Sequence, residues 1–121
     1  MSYPSFPRWP VANESEIDGS EVPEGASVFP LIPAELGVDP LLLAVLHAIV
    51  FLDGSERPIV NPAAAQEALE HIAGYFQRLS GAQLQKVRED LVCLTGFARQ
   101  EGWSKQQVRF LKELLTNYGV K

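Results

Sequence analysis

One short segment, Pro40 to Leu52 (PLLLAVLHAIVFL), limits what this chain can become more than any other. It holds a single polar side chain, His47, in thirteen residues. Asp39 before it is a good N-cap, and Pro40 suits the first helical position, where no backbone N–H is needed. Gly54 stands where a left-handed C-terminal cap is expected. A helix of this length rises about 20 Å, short of the roughly 30 Å hydrocarbon layer of a membrane. The segment therefore reads as a core helix that is apolar on every side. Leaving one side in water would expose about four large apolar residues at ~1.5–3 kcal/mol each, comparable to the whole stability of a small domain. Its cover must come from the rest of the chain or from a second copy.

The rest of residues 39–121 supplies three amphipathic helices. Asn61-Pro62 repeats the cap-plus-proline start, and Ala65, Leu69, Ile72, Phe76 and Leu79 recur at helical spacing to about Leu79. Ser80 with Gln83 has the pattern of a capping box, followed by a helix to about Glu101 with Leu84, Val87, Leu91, Leu94 and Ala98 on one stripe. Gly102 ends it. Ser104 with Gln107 is a second box, with Trp103 and Val108 as a hydrophobic staple, and the last helix carries Val108, Leu111, Leu115 and Tyr118. No strand pattern competes, because Val28 to Ile32 is flanked by proline. The expected fold is all-α: a small four-helix domain around one apolar central helix.

Residues 1–38 form a different region. Six of the nine prolines fall there, so an ordered but non-helical arm is expected, with one short helical turn from Pro33 to Leu36. Tyr3, Phe6, Trp9 and Phe29 are its candidate anchors, able to dock into grooves of the core or of a neighbouring subunit. Charge is split along the chain. Residues 1–40 hold Arg8 against seven acids, whereas from Arg78 onward basic residues outnumber acids eight to four. The overall charge of −5 thus belongs to the arm.

Chemistry-bearing constellations are sparse. His47 reads first as a core histidine, and second as the polar contact of an apolar ligand pocket between helices. Glu67, Glu70 and His71 share a helix, but a bundle metal site needs a matching set on another helix, and no other helix except the first has a histidine. Asp53-Gly54-Ser55-Glu56 lacks the ligand spacing of a calcium loop. The helix that ends in Asp53-Gly54 ahead of a second helix resembles the opening of TerB-type helical proteins over a short stretch. The resemblance brings no site residue or activity with it. There is no glycine-rich phosphate loop, no G-x-S-x-G and no cysteine pair. We expect no catalysis, no metal and no cofactor. The lone Cys93 sits in a helical apolar pattern and excludes an intramolecular disulfide. With no basic start and no apolar core of a secretory signal in the first residues, a reducing, cytoplasmic setting is expected.

The sharpest motif is FARQEGWSKQQVRFL, residues 97–111, which resembles a helix-turn-helix. Residues 97–118 would then read DNA, with Lys105, Gln106, Gln107, Arg109 and Lys112 exposed toward groove and phosphates. Phe110 would sit awkwardly among them. The same residues also form an ordinary capped helix pair. The leading expectation is a small non-catalytic interaction protein, a homodimer through its first helix or its arm, that binds a protein partner. DNA binding is the alternative, and an apolar ligand-binding bundle around His47 is a weaker one.

Overall fold

The computed structural model describes residues 24–120. The arm anchors Tyr3, Phe6 and Trp9 lie outside that range. Among the described residues the protein is all-helical, with four α-helices and no strand. These are α1 (Pro40–Gly54), α2 (Pro62–Phe76), α3 (Gly81–Gln100) and α4 (Lys105–Asn117). Among the described residues a 3₁₀ turn, Ala34–Leu36, precedes them and closes on Gly37 in the left-handed region.

The starts of the helices follow from their caps. Asp39 accepts from the Leu41 N–H, and Asn61 accepts from Ala63 and Ala64, each ahead of a proline. At α4 both halves of the capping box form: Ser104 Oγ accepts from Gln107 N–H, and Gln107 Oε1 accepts from Ser104 N–H. Ser80 differs from the sequence expectation and makes no side-chain cap. Gly81, the first residue of α3, takes φ +55°, and this left-handed step replaces the geometry a capping box needs. Gly54 also departs from expectation. It stays within α1, and the extended Ser55 ends the helix. Gly102 and Gly119 do close helices as left-handed residues. Trp103 N–H returns to Ala98 C=O and Gly102 N–H to Arg99 C=O, which is the double bond of a Schellman cap. Val120 and Gly119 repeat the pattern on Leu115 and Thr116.

α1 packs chiefly on α2, and α3 on α4. The two pairs share one core that includes Leu46, Ile49 and Val50 of α1, Leu69 and Phe76 of α2, Leu94 of α3, and Leu111 and Leu114 of α4. Segment 24–38 runs as a strap against this core. Phe29 is wholly buried, and its ring stands edge-on to His47 at 5.1 Å and to Trp103 at 5.6 Å. Ser27 N–H donates to Ser55 Oγ at 2.9 Å, and Glu56 N–H donates to Gly25 C=O at 2.8 Å. The thiol of Cys93 lies against the carbonyl of Leu36 at 3.8 Å. α3 is tied to the start of α1 by Asp90. Its carboxylate accepts from Asp39 N–H at 3.1 Å and from Lys86 Nζ at 2.7 Å.

One expectation is corrected by the packing of α1. Leu42, Leu46, Ile49 and Val50 are buried, but the opposite side is not covered. Leu41 is 76% exposed and Phe51 41%, and Ala44 and Ala48 between them are exposed too. α1 is apolar on all sides yet buried on one, because three partner helices and the strap reach only its inner half.

Candidate functional site

Two surfaces stand out. The first is this outer face of α1. Leu41, Ala44, Ala48 and Phe51 are spaced by three, four and three residues, so they form one straight stripe along the helix. The stripe is symmetric about Leu46: large residues at its ends, small ones at its centre. No charged side chain occurs between Pro40 and Leu52.

The second surface is the corner between α3 and α4. An open groove of about 360 Å³ is lined by Arg99, Trp103, Lys105, Val108, Arg109, Lys112 and Glu113. Lys105, Arg109 and Lys112 recur at helical spacing on one face of α4, and the Schellman turn at Gly102 brings Arg99 from the end of α3 to the same side. Trp103 is fixed edge-on between Phe29 and Phe97, the latter at 6.2 Å. Of the residues expected to face DNA, Lys105, Gln106, Arg109 and Lys112 are exposed. Gln107 is not: the capping box folds its side chain back on Ser104, and it is buried. Phe110 is buried in the core and does not stand among the exposed residues. Arg99 was missed by sequence reasoning, because it joins the groove only across the turn.

His47 is not among the residues that line the groove. It is half-buried against Phe29, and burial pushes its imidazole below the ordinary value. Glu67 and His71 approach to 3.9 Å on α2 with both side chains largely in solvent. Among the described residues no group of three His, Cys, Asp or Glu is placed to hold a metal ion. Nor is any described helix long and apolar enough to cross a membrane.

Asp53, in the last turn of α1, is half-buried, and burial pushes its carboxyl up to about 6. Burial, and after it the charge of Asp53, raises the Tyr118 phenol. Because the folded value of Asp53 lies above the ordinary 3.8, the fold favours the protonated acid. Its stabilising contribution is complete below that ordinary value and is lost as pH rises through about 6. The carboxylate also sits at the negative end of the α1 dipole. Asp53→Asn should therefore stabilise the protein at pH 7 by about 1 kcal/mol, after allowing for solvent screening on its exposed side. The gain should shrink below about pH 6 and vanish near pH ~2, where the carboxyl is protonated in both the folded and the unfolded chain. Urea melts of the two proteins across that range check this. A gain that is constant with pH would exclude titration of Asp53 as its cause.

Comparison with protein-family models, curated proteins and solved structures gives no match for this chain.

Proposed function

We propose that this chain is a small non-catalytic interaction module that works as a homodimer, assembled through the outer face of α1, and presents its remaining surface to a protein partner. One observation carries the reading: the exposed apolar stripe is self-complementary. In a two-fold dimer each residue meets the partner residue related by the symmetry axis. An antiparallel crossing of two α1 helices on their outer faces, midway between Ala44 and Ala48, sets Leu41 against the partner's Phe51, and Ala44 against the partner's Ala48. The two alanines let the backbones approach closely at the centre, and the two large side chains close the ends. Such a contact removes from water the apolar surface that the monomer leaves exposed. The absence of charge along the stripe means that no ion is desolvated in forming it. A reducing, cytoplasmic setting suits the single, half-buried Cys93.

Light scattering coupled to size exclusion tests the proposal. The wild-type chain is expected at twice the 13.3 kDa of one copy. Ala48→Glu places a charge at the crossing point and should shift the mass to one copy. Ala48 is exposed within the single chain, so helicity by circular dichroism should hold. A wild-type mass of one copy, or a doubled mass that survives Ala48→Glu, would overturn the proposal.

A further inference from the structure

The groove at the α3–α4 corner gathers cations that no described acid neutralises. Arg99, Lys105, Arg109 and Lys112 line it against a single carboxylate, Glu113. All four are exposed, and none forms an ion pair with a described residue. Two half-buried apolar side chains, Trp103 and Val108, line the same groove. Trp103 is held by the rings of Phe29 and Phe97, so it stands there as a fixed wall. We propose that this groove docks a short acidic segment of a protein partner, with its carboxylates on the cations and one large aliphatic side chain against Trp103 and Val108. The proposal rests on the reading of the chain as an interaction module, and adds where the partner is held and by what chemistry.

Three physical points favour this occupant. The first is charge. Four cations on one corner repel one another, and carboxylates set among them relieve that repulsion. The second is size. On α4 the cations run from Lys105 to Lys112, about 10 Å of helix, which three or four extended residues span. A nucleic-acid strand draws its affinity from a long series of phosphates, and here the row meets the carboxylate of Glu113. The third is the mixed character of the lining. An aliphatic side chain shields Trp103 and Val108 from water, which a phosphate backbone cannot do. That apolar contact persists in salt, while the cations steer the segment and fix its register.

The test titrates the full chain with a short peptide, Glu-Glu-Leu-Glu-Glu, blocked at both ends, and follows amide NMR signals. The signals of Arg99 to Glu113 should move, and those of α2 should stay in place. Serine in place of the leucine, or glutamine in place of the glutamates, should weaken binding about tenfold. Arg109→Glu should weaken it by about fivefold to tenfold. If that variant does not fold, Lys105→Glu with Lys112→Glu must give the same loss. Ala48→Glu should bind the peptide as the wild type does, whatever its mass, so failure of the dimer and failure of the groove are read separately. Unmoved signals in the wild type, or binding indifferent to charge reversal in whichever variant folds, would overturn the proposal. So would a duplex or single-stranded oligonucleotide that moves the same signals at lower concentration than the peptide at physiological salt, which would make nucleic acid the occupant.

Discussion

Phe29→Ala should lower the unfolding free energy by about 3–5 kcal/mol, the range for truncating a fully enclosed aromatic side chain. Phe29 is the residue by which the strap enters the core, with 0% of its surface exposed. Its ring is bounded by His47 of α1 and by Trp103 at the α3–α4 corner, so truncation opens a cavity between the two helix pairs. The gap cannot close easily, because the strap is pinned on one side of Phe29 at Ser27 and on the other by its 3₁₀ turn. Leu31, two residues on, is the internal control. It is 70% exposed, and Leu31→Ala should cost under ~0.5 kcal/mol. Chemical denaturation of both variants makes the comparison. Similar losses at the two positions would show that the strap contributes only nonspecific surface cover.

Asp90→Ala should cost about 2–3 kcal/mol, as expected for removing a hydrogen-bonded buried acceptor that carries charge. Asp90 is 4% exposed, and its two oxygens serve different groups. Oδ2 accepts the backbone N–H of Asp39, the residue that caps α1, and Oδ1 accepts the Lys86 ammonium. Truncation leaves a part-buried N–H without its acceptor at the very start of α1. Lys86→Ala should matter much less, since the lysine side of the pair is solvated and an exposed ion contributes little. Asp90→Asn should fall between the two, because the amide oxygen still accepts from Asp39. Thermal melts at neutral pH rank the three variants. A loss for Lys86→Ala as large as that for Asp90→Ala would mean that the ion pair, and not the backbone contact, carries the effect.

The helices were legible in the sequence because each of the last three repeats apolar residues at a helical period, and Ala65 to Leu79, Leu84 to Ala98 and Val108 to Tyr118 all face the core as that period requires. α1 shows the limit of the same signal. A segment that is apolar all round has no direction written in it, so which side would stay exposed depended on how many partners the chain could bring. Asp90 was illegible for a related reason. Beside Glu89 it reads as one more solvated acid, and its partner Asp39 lies 51 positions away. The groove was half legible. Lys105, Arg109 and Lys112 share a face by spacing alone, but Arg99 joins them only through the left-handed turn at Gly102. Ser80 and Ser104 carry the same capping pattern and behave differently, because a left-handed glycine follows one and Lys105 follows the other.

The pairing of α1 with α2 and of α3 with α4 has a consequence for how the chain reaches this state. Each pair is a helical hairpin whose members are joined by a short connection, so most contacts close over small sequence separations, and loop-closure entropy is low. Two hairpins can then form independently and early. Their union rests on the shared core and on ties of long sequence separation, such as Phe76 on Tyr118, Phe29 on Trp103 and Asp90 on Asp39. Contacts of that separation are expected to form late, so weakening them should quicken escape from the native state more than it slows arrival.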